Sequence, residues 1–224
     1  MIPRELLATA IVPGGDEPLR LIRRGSEFSI MLGANELMNS RLSGSEEALS
    51  RLSRACIAQV AAPRVLIGGL GMGFTLRAAL EAFGAQSTIE VAELVPEIVE
   101  WARGPMAHLH AGTLDDPRVT VCIADVGALI RTASSRYDAI LLDVDNGPDG
   151  LSREGNDALY NATGLAQARA ALRPGGVLAV WSSGPDARFT SRLRKAGLAV
   201  SEEIARARST GGGARHTIWL ALRR

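Results

Sequence analysis

The sequence has little that would commit it to a membrane, an oxidising compartment or a metal. Its two cysteines, Cys56 and Cys122, stand far apart without a CxxC pair. That offers neither a disulfide framework nor a zinc site, and it fits a reducing cytoplasm. No apolar run approaches the length of a membrane span. The opening segment MIPRELLATAIVPGGDEP has too short an apolar stretch, broken by Pro13, Gly14 and Gly15, to read as a signal peptide. An excess of one charge is missing too. Twenty-five basic and 24 acidic residues leave a net charge of +1, so no overall field recruits nucleic acid or an anionic surface. Lysine is nearly absent (only Lys195), which reads as a GC-rich coding bias. Aromatic residues make up 4% of the chain. The basic part from Ala187 onward lacks the aromatic interleaving that base stacking needs, so it reads as a solvated helix face and tail. What is present, 46% hydrophobic residues in a chain of 224, suits one large domain or one domain with a small appendage.

Two regions differ in pattern. Residues 1–42 alternate apolar and polar positions around turn signals at 13–18, 23–27 and 32–36, which predicts a small N-terminal region of short antiparallel strands. Ser43 to Ser45 then offers a helix N-cap, with Glu46 and Glu47 in the first turn where the helix dipole favours acids. Leu49, Leu52, Ile57 and Val60 recur at helical spacing as far as Pro63. From Arg64 onward buried strands alternate with amphipathic helices. Strands are expected near 64–68, 87–92, 118–122, 137–142, 176–182, 198–204 and 215–222, and helices near 73–84, 95–103, 126–132, 156–172 and 185–196. Such alternation means βαβ crossovers and a mostly parallel α/β sheet over residues 43–224, its last strand antiparallel because a hairpin joins the final pair.

The stretch RVLIGGLGMGF (64–74) ends a strand in glycines and feeds a helix. A turn of that kind lets backbone approach a ligand beyond the carboxyl ends of the strands. The NAD fingerprint G-x-G-x-x-G would need a glycine where Phe74 stands, and no Gly-Lys-Ser/Thr follows to make a P-loop. The G-x-G-x-G of Gly69, Gly71 and Gly73 is the shape associated with adenosyl-sulfonium ligands. Glu93 ends the second strand 20 residues beyond Gly73. It is placed to accept both ribose hydroxyls, or to serve as a helix N-terminal charge. Asp125 ends the third strand, where it could accept the adenine amino group beside the Val126 backbone N–H, or cap the next helix. Asp143 ends the fourth, where a carboxylate would face the sulfonium and stabilise positive charge or deprotonate an amine. Asp145 and Asp149 follow within a polar loop, 145–156, long enough for a lid. His108 and His110 read as an ordinary surface pair without a third metal ligand. Trp101, Trp181 and Trp219 read as packing residues. Trp181 to Ser183 could also line a substrate pocket, with Ser183 a helix cap.

The blocks VLIGGLGMGFTLRAAL, VAELVPEIVEWAR, DDPRVTV, IADV, YDAILLDVDNGP and LRPGG follow one another in an order that resembles the spermidine synthases and spermidine-synthase-like proteins. The resemblance covers roughly residues 64–183 and, more loosely, the strand-rich N-terminus. It implies the Rossmann-like class I methyltransferase fold. It also implies an adenosyl cofactor (S-adenosylmethionine or its decarboxylated form) held at Gly69, Gly71, Gly73, Glu93, Asp125 and Val126. Asp143 becomes the first acid of that family's D-x-x-D segment and accepts the proton. Departures accompany the likeness. Gly71 stands where those enzymes carry an aspartate that grips the aminopropyl amine. The second acid falls on Asn146, with Asp145 one residue early, so these two are the candidate acceptor contacts. The segment 35–49 lacks the Gln and Tyr-His-Glu pattern. The expected function is therefore a transferase moving an alkyl group to a small acceptor, an amine, without a metal, with strict aminopropyl transfer to putrescine weakened. A methyltransferase and a non-catalytic nucleoside-binding protein are the alternatives, and a homodimer is left open.

Overall fold

The computed structural model describes residues 2–144, 158–208, 210 and 212–224. Four strands, β1 (Glu5–Ile11), β2 (Pro18–Arg24), β3 (Glu27–Leu32) and β4 (Asn35–Asn39), form an antiparallel meander in chain order. Their turns fall where the sequence places them. In β2 and β3 every second residue (Leu19, Leu21; Phe28, Ile30) is buried, the period expected of a sheet covered on one face.

Helix α1 (Gly44–Cys56) leads into a second sheet built from β5 (Arg64–Gly68), β6 (Thr88–Glu93), β7 (Val119–Ile123), β8 (Tyr137–Leu142), β9 (Leu172–Ser182), β10 (Leu198–Arg208) and β11 (Gly212–Arg223). The order across it is β10-β11-β9-β8-β5-β6-β7. β5 to β9 run parallel, and β11 lies antiparallel to both β9 and β10. This is the Rossmann-like class I methyltransferase fold. β8 is buried at all its positions, as a central parallel strand must be when helices cover both faces. Ile67, Leu141 and Ala179 share one core with Leu49 of α1 and with α2 (Phe74–Ala82) and α3 (Pro96–Arg103). Leu66, Ile140 and Leu178 face the other, under α5 (Val126–Thr132), α6 (Ala162–Ala171) and α7 (Ala187–Lys195). Between α3 and β7 lies the short helix α4 (Ala107–His110). No helix among the described residues is long and apolar enough to cross a membrane.

Several boundaries differ from the sequence reading. α1 stops at Cys56 rather than near Pro63, because Ile57 leaves helical geometry at φ −120°. Ile57 stays buried and Val60 packs against the core, so the apolar spacing persists through a turn instead of a helix. Ser43 caps nothing through its side chain; its hydroxyl donates to Glu47 at 2.8 Å. α6 begins at Ala162, capped by Asn161, which accepts from the Gly164 N–H at 2.9 Å. β9 starts at Leu172, ahead of the expected 176, because Leu172 already pairs with Tyr137. β10 and β11 outrun their expected ends; past a bulge between Arg206 and Arg208 their pairing continues beyond the edge of β9. Asp186, not Ser183, caps α7, accepting from the Arg188 N–H at 2.7 Å.

Candidate functional site

The carboxyl ends of β5, β6, β7 and β8 open onto a cavity of about 370 Å³. Gly69 donates its N–H to the Ala92 carbonyl at 2.9 Å, which ties the glycine turn to the end of β6. Gly69 has φ +88°, and a Cβ there would lie 2.7 Å from the Asp143 carbonyl oxygen, so only glycine lets β8 close against the turn. Gly69 and Gly71 line the cavity; Gly73 does not reach it. At Gly73 (φ +78°) the space a side chain would need is filled by protein, since an added Cβ would sit 2.3 Å from His110 Nδ1. The turn therefore makes room for its own neighbours as well as for the cavity.

Glu93 is 7% exposed and lines the cavity. One carboxylate oxygen accepts the Leu70 N–H and the other the Val95 N–H, both at 2.9 Å. Burial pushes this carboxyl up from its ordinary value, opposed by those backbone donors. The Gly71 and Leu94 N–H groups also bear on it, so the backbone fixes the orientation of this carboxylate beside the cavity. Asp125 does what its second reading required: it caps α5, accepting from Gly127 N at 2.6 Å and Ala128 N at 3.3 Å. It also lines the cavity, as does buried Val126.

Asp143 sits where this cavity meets a smaller one of about 100 Å³ and lines both. Its carboxylate accepts the Thr75 hydroxyl at 2.5 Å. Burial raises its pKa and the Thr75 bond partly offsets that. The acceptor candidates Asp145 and Asn146, Asp149 and the rest of the 145–156 loop lie outside the described residues. His108 and His110 share the short helix α4, and only His108 is exposed. His110 is 1% exposed, so the surface reading fails for it. Burial, reinforced by the Arg77 charge, lowers its pKa to about 4, and neither ring nitrogen has a hydrogen-bond partner among the described residues. Trp101 and Trp219 are core residues, and Trp219 donates to Thr190 at 2.9 Å. Trp181 lines the smaller cavity.

Sequence reasoning missed two contributions. The N-terminal sheet roofs the larger cavity with Leu19, Ile30 and Met38 and with Val12 and Asp16 from the β1–β2 connection. Glu46, read as a helix-dipole acid, lines the smaller cavity beside Asp143. Burial and then the Asp143 charge push Glu46 up to about 7. Its signal in the sequence was an acid at the start of the helix preceding the glycine strand, a signal shared by most helices.

The spermine/spermidine synthase domain matches residues 50–187. The chain belongs to the spermine/spermidine synthase family. Among its curated relatives, the polyamine aminopropyltransferase of Mycobacterium tuberculosis is 35% identical over 148 residues, 61% of this chain and 27% of that one. Putrescine N-methyltransferase 2 of Nicotiana attenuata is 34% identical over 116 residues, 51% of this chain and 29% of that one. The chain thus spans less than a third of the length of these curated relatives. A crystal structure of a spermidine synthase in complex with the transition-state analogue AdoDATO matches with a TM-score of 0.75 at 17% identity, over 98% of this chain and 72% of that one. That likeness bears on the fold, in which this family member carries Gly71 and Glu46 within its crevice.

Proposed function

We propose that this spermidine-synthase-like chain is a transferase that binds an adenosyl-sulfonium donor in the larger cavity and moves an alkyl group from it to a small amine. The observation that carries the reading is Glu93, a buried carboxylate held at the end of β6 by two backbone N–H groups and open to the cavity. That is the chemistry that recognises a pair of ribose hydroxyls. The cavity volume of about 370 Å³ falls within the usual range for small-molecule sites, roughly 300–1,000 Å³. Val95, Ile98 and Val126 give it apolar walls suited to a base, and Asp125 stands at their edge to accept an amino group. The AdoDATO complex of a family structure agrees with this assignment. The donor supplies an electrophilic carbon on its sulfonium. Asp143 stabilises that positive charge and takes the proton an ammonium must shed before its nitrogen can attack. Methyl transfer is the second reading, favoured by the likeness to a putrescine N-methyltransferase.

Calorimetry with methylthioadenosine tests the nucleoside assignment. Glu93→Ala should weaken binding at least about tenfold, since a hydrogen bond to a charged group contributes about 1.5–3 kcal/mol. An unchanged affinity in a variant that retains its fold by circular dichroism contradicts the assignment of this strand end.

A further inference from the structure

The smaller cavity of about 100 Å³ shares Leu37, Met38, Gly71 and Asp143 with the larger one, so the two form one continuous site. It holds two carboxylates, Glu46 and Asp143. Neither enters an ion pair among the described residues. Two half-buried acids without a cation are costly to ionise together, and a positively charged ligand group relieves that cost. Apart from Asn39 and the glycine turn, the remaining walls are apolar or aromatic, Met38, Phe74 and Trp181 among them. Trp181 is 9% exposed, and its indole Nε1 has no hydrogen-bond partner among the described residues. Acids set among such walls match an alkylammonium, whose methylenes take the apolar surface and whose charge meets carboxylate and ring face.

Glu46 is held in place there. Its carboxylate accepts the Ser45 hydroxyl at 2.7 Å, and that hydroxyl oxygen lies 2.8 Å from His216 Nδ1. Its neighbour on α1 is occupied elsewhere, since Glu47 binds the Ser43 hydroxyl and pairs with Arg77 at 3.6 Å. Position 71 is glycine, and a Cβ there would lie 2.9 Å from the Met38 sulfur, so that face of the site carries no acid.

We propose that Glu46, with Asp143, binds the terminal ammonium of an aminopropyl group on the adenosyl donor and thereby selects an aminopropyl donor over one that keeps its carboxylate. The inference rests on the adenosyl reading of the larger cavity. A carboxylate brought into the smaller cavity meets two acids, and a bare methyl leaves them unneutralised. Glu46 is then the specificity-determining residue for the transferred group.

The cleanest probes are neutral at sulfur: methylthioadenosine, its 3-aminopropyl thioether analogue, and S-adenosylhomocysteine. By calorimetry the aminopropyl thioether should bind the wild-type chain at least about tenfold more tightly than either of the others. Glu46→Gln should erase that gain while methylthioadenosine affinity and Tm stay near wild type. An aminopropyl thioether no tighter than methylthioadenosine, a gain that survives Glu46→Gln, or tighter binding of S-adenosylhomocysteine overturns the inference alone. Failure of all three to bind overturns the adenosyl reading and the inference with it.

Discussion

Replacing Asp143 with asparagine is expected to lower turnover by about 10²–10⁴-fold, the usual size of a lost general base. Asparagine keeps the shape at the end of β8 and can still meet the Thr75 hydroxyl, so the local packing has no reason to change. It loses the negative charge and the site that receives the proton. Burial raises the Asp143 pKa, which makes its conjugate acid weaker and the carboxylate a better base than one in water. Nucleoside affinity should move by no more than a few-fold, because in the proposed site Glu93, Asp125 and the glycine turn hold that part of the ligand. Turnover and methylthioadenosine affinity measured on the same preparation separate the two effects. Turnover within a few-fold of wild type makes Asp143 a structural acid and removes the proposed base.

Gly73→Ala is expected to cost the fold about 2–5 kcal/mol, combining left-handed backbone strain with overpacking. The residue sits at φ +78° as the N-cap of α2, and the new methyl would lie 2.3 Å from a ring nitrogen of buried His110. His110 has little room to withdraw, being 1% exposed. For a chain of this size the loss corresponds to a fall in Tm of about 4–20 °C, readable by calorimetric melting. A double-mutant cycle with His110→Ala divides the cost: the clash disappears and the backbone strain stays, so the pair should be less destabilised than the sum of the singles. A Tm within a degree of wild type for Gly73→Ala contradicts the packing described for this turn.

The sheet was legible because its physics is local. The short apolar runs at 65–68 and 139–142 have the length of strands buried on both faces, and the short link between the last two strands makes them antiparallel. The strand-end acids were legible for the same reason, since Glu93, Asp125 and Asp143 each follow directly from where a strand stops. Glu46 was not. It comes beside Asp143 through tertiary packing, with α1 (Gly44–Cys56) lying across β9, β10 and β11, which begin only at Leu172. His110 escaped because alternate spacing looks alike on a loop and on one turn of helix, where the two side chains part between solvent and core. The roof over the larger cavity comes from the N-terminal meander, whose turns were readable but whose docking depends on tertiary packing.

The central claim, alkyl transfer from an adenosyl-sulfonium donor to a small amine, is tested most directly by the nucleoside released. The chain is incubated with decarboxylated S-adenosylmethionine or with S-adenosylmethionine, each with a panel of mono-, di- and polyamines, and the nucleoside thioether and the amine are quantified together. The account predicts methylthioadenosine from the decarboxylated donor in step with an aminopropylated amine. S-adenosylhomocysteine in step with a methylated amine would keep the transferase and reverse the assignment of Glu46. Donor that saturates the site yet releases neither thioether above the enzyme-free rate, with any acceptor, would contradict the account.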